Sequence, residues 1–308
     1  MNLQTVAAVD VGSNAVRCLI SDVRRFQPDK AVKKCAYLRI PLRLGADVFA
    51  RGRISEEKKT LFREAMLALL HLMRAYSVDH YRICATSAMR DAANGLDLLA
   101  AVKDDTGLEM SIVSGLEEAE ILFEANVFSR CLRTGEAALY IDVGGGSTEV
   151  VLARAGRLVE AFSFQLGTLR LLAGAVAAEE RRRFTRELRR LAAEWRPRSI
   201  IATGGNINKA AKLLDKKEDR LTSVAELRAL HAALEGLDVE ARMSRFRLNS
   251  YRADVIVPAL EIFLKAADTA GVMQFAIPKI GLVDGIVRHM CLHADARPTL
   301  SPPAPIAP

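Results

Sequence analysis

The sequence lacks the features that staple small or metal-bound domains together. Its five cysteines (Cys18, Cys35, Cys84, Cys131 and Cys291) include no CxxC pair and no spacing of paired metal ligands. A disulfide framework and a zinc ribbon are thereby excluded, and buried free thiols in a reducing cytosol are expected. No apolar run reaches the roughly 18 to 20 residues that a membrane-spanning helix needs. The N-terminus has no charged segment followed by an apolar signal core. A soluble, cytoplasmic chain with no membrane partner is the expectation. Neither sign of charge dominates strongly: 44 Lys and Arg against 37 Asp and Glu leave a net charge of +7, spread over short clusters. That balance favours anionic ligands, and DNA is not expected among them. The last twelve residues, "RPTLSPPAPIAP", hold five of the ten prolines and almost no hydrophobic periodicity, so residues 297–308 are expected to be a disordered or polyproline tail.

What is present is enough apolar material for two ordinary domains, since half of the 308 residues are hydrophobic. "TVAAVDVGSN", "AVRCLISDV" and "KKCAYLRIPL" read as three strands joined by tight turns. Apolar residues at Leu61, Ala65, Ala68, Leu69, Leu72 and Tyr76 then recur with a helical period. A strand, "YRICAT", leads to a helix from about Asp91, and "EMSIVS" to another from about Leu116. The second half restarts the same programme with "EAALYIDVGGG", "STEVVLARAG" and "RLVEAFSFQL", followed by helices, the strand "RSIIATGG", a helix from Asn206, "VMQFAIP" and a last helix. Aligning the two halves places Asp10 on Asp142, 132 residues apart. The expected fold is α/β, with two domains from an internal duplication and a ligand cleft between them, where strand-end turns face each other. The domains are expected at residues 1–128 and 129–296, with the junction where "SRCLRTGEA" breaks the apolar pattern.

Three glycine-bearing turns end strands in this scheme. Gly144, Gly145 and Gly146, with the hydroxyls of Ser147 and Thr148, could bring backbone N–H groups close to an anion. Gly12, Ser13 and Asn14 offer the same chemistry from the other half, and Gly204, Gly205 and Asn206 open a helix whose first amides favour negative charge. An isolated glycine run is more often a plain hairpin turn; three such turns together point to one phosphate-rich ligand. Thr86, Ser87 and Arg90 in "ATSAMRDAAN" fall at a fourth strand end, and Arg17 follows "DVGSNAV" closely enough to reach the same ligand. The ordinary alternative for either arginine is a surface ion pair. Asp10, Asp142 and Glu149 would repel phosphate unless a cation stood between them, and Mg²⁺, which shares its shell among carboxylates, water and phosphate oxygens, is the natural candidate. Each acid alone could equally be a turn cap. The runs "ERRRFTRELRR" and Lys209, Lys212, Lys216 and Lys217 are basic helix faces; most such faces are merely solvated, though a polyanion would use them.

In "SGLEEAE", Ser114 and Glu117 have capping-box spacing. Glu118 lies about 100° further around the helix and is left without a structural role. A carboxylate able to accept a proton from water is what hydrolysis of a phosphoanhydride requires, although on spacing alone a solvated helix acid is the commoner case.

Together, and in this order, "DVGSNAVR", "ATSAMRDAAN", "SGLEEAE", "DVGGGSTE", "SFQLGTLRL" and "ATGGNINK" resemble the exopolyphosphatase and guanosine pentaphosphate phosphohydrolase family, whose fold is actin-like, of the ribonuclease H-like kind. The resemblance runs from about residue 6 to about residue 290. It implies Mg²⁺-dependent release of the terminal phosphate of inorganic polyphosphate, conversion of pppGpp to ppGpp, or both. It also implies that Glu118 is the catalytic glutamate, that Asp142, Gly144 and Glu149 are metal and phosphate positions, and that the turns at Asp10 to Asn14, Arg90 and Gly204 to Gly205 are further phosphate contacts. Four positions depart from the family pattern: Glu120, where a basic residue is frequent; Ala125, in place of glycine; Asn206, in place of threonine; and Val283, where "GLVDG" stands for "GLREG". Longer members append helical domains that help hold long polyphosphate, so short chains or a nucleotide are expected here. A homodimer is compatible with a short two-domain chain. The rival readings are an ATP-dependent phosphotransferase of the same fold and a non-catalytic protein that binds pppGpp or polyphosphate.

Overall fold

The computed structural model describes residues 3–24, 32–125, 135–216, 221–293 and 298–300. They form two compact units, residues 1–114 with 282–308 and residues 115–281. The expected junction near residue 128 lies outside the described residues. In this division the helix bearing Glu118 goes with the second unit and the last helix goes with the first. No helix among the described residues is long and apolar enough to cross a membrane.

The first unit opens with β1 (Leu3–Val11), β2 (Val16–Arg24) and β3 (Lys33–Ile40), then α1 (Leu44–Arg51), α2 (Glu56–Ala75), β4 (His80–Ala85), α3 (Ser87–Asp91), α4 (Gly95–Thr106) and β5 (Ser111–Ile112). Its sheet runs β3-β2-β1-β4-β5. The first three strands are antiparallel neighbours, while β4 and β5 join parallel to β1. The apolar stripe of α2 is Phe62, Ala65, Met66, Leu69, Leu70 and Met73, about one position from the expected one, so that Leu61 and Tyr76 are exposed. The rotation buries a phenylalanine and two methionines in place of smaller or amphipathic side chains, which removes more apolar surface from water. The single helix expected from Asp91 is two helices, broken at Ala92, whose extended backbone ends α3. Helix α1 was not foreseen; it starts just after β3, where "PLRL" carries no clear period.

The second unit contains α5 (Gly115–Glu124), β6 (Ala137–Val143), β7 (Thr148–Arg154), β8 (Arg157–Phe164), α6 (Thr168–Leu172), α7 (Ala178–Trp195), β9 (Ile200–Thr203), α8 (Gly205–Leu213), β10 (Thr222–Ser223), α9 (Val224–Glu235), α10 (Val239–Phe246), α11 (Ser250–Ala253), α12 (Ile256–Ala270) and β11 (Gln274–Ala276). After it the chain returns to the first unit as α13 (Leu282–Leu292). The second sheet runs β10-β11-β9-β6-β7-β8. Read from β8, its strands repeat the order and directions of the first sheet, with β10 added at the edge. Both copies carry an irregularity late in the pairing of their second and third strands, at Ile20/Ser21 and Leu152/Ala153. The fold is thus α/β with two units of repeated strand order, as the repeat of Asp10 at Asp142 predicts.

The core of the second unit gathers Leu139, Ile141, Val150 and Leu152 of the central strands with Phe184, Leu188, Ile207, Leu260 and Phe263 of the helices. Continuous apolar character in β6 follows from its central place, covered on both faces. In the first unit α13 packs on β1 and β2, with Val283 buried at 2% exposure and Lys34 paired to Asp284 at 2.5 Å. Val283 is therefore a core residue.

One further expectation changes. Residues 298–300 belong to the fold: Tyr81 N–H donates to Pro298 O at 3.1 Å and Leu300 N–H to Asp79 O at 3.5 Å. Because β5 pairs only with Cys84 and Ala85, the start of β4 has an open edge, and this segment covers it. The basic run on α7 is a solvated face whose arginines pair with acids of the same helix and of β8, with Arg182 on Glu179, Arg183 on Glu180, and Arg190 on Glu187, Glu194 and Glu160. Cys18 and Cys84 are buried, and burial pushes the Cys18 thiol up to about 12, which makes it inert. Cys131 lies outside the described residues.

Candidate active site

Four side chains form a row across the second sheet. Asp142 at the end of β6 lies opposite Glu149 on β7, Thr203 on β9 is in register with Asp142, and Ser163 on β8 is in register with Glu149. Cross-strand partners share a face of the sheet. The row therefore reads hydroxyl, carboxylate, carboxylate, hydroxyl. Thr203 Oγ1 donates to Asp142 Oδ1, and Ser163 Oγ donates to Glu149 Oε1 at 2.9 Å. Glu149 and Thr203 are fully buried. Two carboxylates placed directly opposite one another repel, and a buried one is costly unless its charge is answered. A pair of hard oxygen donors in this setting fits a small divalent cation such as Mg²⁺.

The glycine turn beside this row is held from behind. Thr168 N–H donates to Gly144 O at 3.1 Å, and Leu169 and Arg170 N–H to Gly145 O at 2.8 and 3.1 Å. The buried Arg170 side chain donates through Nε to Gly146 O at 2.8 Å. No peptide bond among the described residues is cis, and in a trans peptide the carbonyl and the following N–H point in opposite directions. Fixing the carbonyls of Gly144, Gly145 and Gly146 toward α6 thus turns the amides of Gly145, Gly146 and Ser147 to the other side, an arrangement suited to an anion. A Cβ at Gly167 would lie 2.4 Å from the Gly146 backbone, so only glycine admits this close support. Thr148 is turned inward: it is fully buried and its hydroxyl donates to Leu166 O. Its expected phosphate contact is replaced by a structural one.

Gly204 takes a φ of +112° and a Cβ there would sit 3.0 Å from Val143 O, so glycine is required both by conformation and by space. The turn leads into α8, where Arg252 donates to Gly205 O and Asn206 Nδ2 to Val255 O at 3.4 Å. Asn206 therefore anchors the start of the helix. On α5, Gly115, Glu118, Ala119 and Leu122 fall on one face by helical spacing, and Glu118, Ala119, Ile121 and Leu122 are buried. That helix packs on β7 and β8. Glu118, 8% exposed, is a carboxylate on the packed face, whereas Glu120 is exposed. A Cβ at Gly115 would lie 2.1 Å from Ser163 Oγ; the absence of a side chain lets the helix approach the acidic row, one turn before Glu118.

The first unit carries the equivalent row with different chemistry. Cys84, Asp10, Arg17 and Arg39 align across β4, β1, β2 and β3. Arg17 Nη1 contacts Asp10 Oδ2 at 2.5 Å. Burial raises the Asp10 pKa, with Arg17 opposing the rise by charge and hydrogen bond. The expected metal role of Asp10 and phosphate role of Arg17 meet here as an ion pair between the two. The turn itself is closed by Gly12 N–H on Ala15 O at 3.2 Å, matching Gly144 N–H on Ser147 O at 3.0 Å. Gly45 N–H on Ser13 O at 2.8 Å and Arg43 N–H on Asn14 O at 3.1 Å hold its carbonyls, as residues 168–170 hold those of the second turn. Ser13 Oγ and Ser87 Oγ are 2.8 Å apart and buried, and Thr86 N–H donates to Val11 O at 3.1 Å. Arg90 Nη1 donates to Val113 O at 2.6 Å, steadying the end of β5 with one of its five donors.

Sequence reasoning missed Thr203, Ser163, Gly115, Gly167 and Arg170. The readable signals were "LG" repeated at the start of α1 and just before α6, at Leu44–Gly45 and Leu166–Gly167, and a glutamate within an apolar helical stripe.

These features define a duplicated α/β protein with an acid pair beside an amide-lined turn. A family model described as the Ppx/GppA phosphatase family matches residues 30–294, and the chain belongs to that family. Exopolyphosphatase 2 of Mycobacterium tuberculosis is 27% identical over 315 residues, covering 93% of this chain and 98% of its own. A guanosine-5'-triphosphate,3'-diphosphate pyrophosphatase of Photobacterium profundum is 28% identical over 146 residues, 47% of this chain and 28% of its own. Among solved structures, an exopolyphosphatase from Cytophaga hutchinsonii superposes with a TM-score of 0.82 at 20% identity, covering 94% of this chain and 98% of that one.

Proposed function

We propose that the protein is a Mg²⁺-dependent phosphoanhydride hydrolase that releases the terminal phosphate of short inorganic polyphosphate, converts pppGpp to ppGpp, or does both. The observation that carries this reading is the placing of Glu118 on the helix packed against the two strands that bear Glu149 and Ser163. The names of the curated relatives support the substrate class. Asp142 and Glu149 would hold Mg²⁺, which when bound would supply positive charge to the phosphate oxygens. The amides of Gly145, Gly146 and Ser147 donate to phosphoryl oxygens, a preorganised set of dipoles that need not reorient as charge builds. Glu118 accepts the proton of the attacking water and aligns it in line with the bond that breaks. Its burial keeps bulk water from competing for that proton. Asp10, neutralised by Arg17, serves the turn of the first unit and stays out of the cation's shell.

The test is phosphate release by Glu118→Gln and the wild type, side by side on tripolyphosphate, long polyphosphate, pppGpp and ATP with Mg²⁺. Loss of several orders of magnitude in the variant, with its melting temperature kept, is expected; near-normal release would sink the assignment of Glu118. Equal turnover of ATP with formation of a phosphorylated acceptor would mean a phosphotransferase. Mg²⁺-dependent binding without release would mean a non-catalytic receptor.

A further inference from the structure

The acidic row is closed at each end by a hydroxyl, and nothing in the reaction itself uses either one. Thr203 Oγ1 has a single hydrogen to give. It lies 2.8 Å from Tyr140 Oη and also contacts Asp142 Oδ1. A carboxylate can only accept, so the threonine hydrogen goes to Asp142, and the Tyr140 hydroxyl donates to Thr203. Tyr140 and Thr203 are both fully buried, which shields this relay from water. At the other end Ser163 Oγ donates to Glu149 and stands where a Cβ on Gly115 of α5 would lie 2.1 Å away, while its carbonyl receives Arg183 Nη2 at 2.9 Å. Each hydroxyl is thus itself held in place.

We propose that Thr203 and Ser163 are positioning residues that fix the two carboxylates of the row and thereby set the affinity of the site for a divalent cation. This rests on the reading that Asp142 and Glu149 hold the cation. Opposed carboxylates without anchors swing apart to relieve repulsion, and a cation must then pull them back at the expense of binding energy. Hydroxyl anchors on the outer strands keep each carboxylate in place before the cation arrives, as outer partners of metal ligands commonly do.

The experiment measures Mn²⁺ binding to the unliganded full chain by electron paramagnetic resonance, alongside the Mg²⁺ dependence of phosphate release from tripolyphosphate. Thr203→Val keeps the shape and removes the donor; it is expected to weaken Mn²⁺ binding about tenfold, as is Ser163→Ala, with Thr203→Ser staying within about twofold of wild type. Tyr140→Phe is expected to shift affinity in the same direction by less. Asp142→Asn and Glu149→Gln are expected to abolish binding. If those two bind Mn²⁺ like the wild type, the cation reading fails and the proposal with it. If they lose binding while Thr203→Val and Ser163→Ala match the wild type, the cation reading stands and the positioning role is overturned. Should Thr203→Val fail to fold, Ser163→Ala and Tyr140→Phe give the same decision.

Discussion

Arg17 and Glu149 occupy the same place in two copies of one sheet, 132 residues apart, each directly across a ladder from the aspartate that ends the first strand of its unit. In the first unit the partner is a cation and the aspartate is neutralised. In the second it is another anion. The repeated frame thus carries different chemistry in its two copies: the first row sets Arg17 and Arg39 beside Asp10, while the second sets Glu149 and Ser163 beside Asp142.

The two positions should therefore respond to neutralisation with opposite signs. Arg17→Met leaves Asp10, almost fully buried, without its partner and should cost about 3 kcal/mol of stability. Glu149→Gln removes a repulsion and should leave the melting temperature unchanged or raise it while phosphate release collapses. Chemical denaturation and phosphate assays on the two variants check this; a destabilised Glu149→Gln of normal activity would contradict it.

Arg170 supports the glycine turn from within the protein, so its loss should act on binding through the backbone. Arg170→Met keeps much of the apolar stem but frees the Gly146 carbonyl. The amide that follows then loses its fixed direction. A rise in KM of about tenfold is expected, since one hydrogen bond from a charged group is worth about 1.5 to 3 kcal/mol, with a smaller fall in kcat. Steady-state kinetics on tripolyphosphate separate the two parameters, and an unchanged KM would show that the turn holds its shape without the arginine.

A pH effect on stability follows from the capping box that starts α9. Ser223 Oγ accepts from Glu226 N–H and Glu226 Oε2 accepts from Ser223 N–H, with Lys216 Nζ at 2.6 Å from Glu226. Hydrogen bonding to Lys216, then to Ser223, pulls the Glu226 pKa from its ordinary 4.5 down to about 2. Its folded pKa is depressed, so the stabilisation is complete above the unfolded value and is lost as pH falls through about 2. The stability gap between wild type and Glu226→Gln should be constant at neutral pH and close as acid is added across that window. The carboxylate is exposed, so the gap is small and shrinks in high salt.

The sequence made the duplicated sheet legible because period-two strands, tight turns and a repeated Asp-Val-Gly are local signals. Glu118 stands out only through the resemblance of its motif, since on spacing alone a solvated helix acid is the commoner case. The supports could not be read. Thr203 meets Asp142 across a parallel ladder, and Ser163 meets Glu149 only because β8 closes on β7 in one register. Arg170 lies in a basic-looking "TLRLL" that gives no hint of burial. Thr148 was misread because a hydroxyl next to a glycine turn looks like a ligand until its strand register turns it inward. Contacts set by register and tertiary approach leave no periodic trace.

The sharpest consequence concerns Gly115, which makes no hydrogen bond through a side chain and looks replaceable at the first position of a helix. Alanine has the better helix propensity, and in an open site the exchange would stabilise by about 1 kcal/mol. Here the added Cβ would lie 2.1 Å from Ser163 Oγ and 2.4 Å from its Cβ, closer than atoms can stand, and the obstacle is a short side chain already committed to Glu149. Either Ser163 turns away, which frees Glu149, or α5 shifts, which moves Glu118. Both routes damage the same reaction. Gly115→Ala should lose about 1 to 3 kcal/mol of stability from overpacking, and phosphate release should fall by more than that loss alone explains. The double variant Gly115→Ala with Ser163→Gly removes the clash; it should recover the stability but not the Mg²⁺ affinity, because the hydroxyl on Glu149 is still missing. Recovery of both would mean that α5 placement alone governs the site.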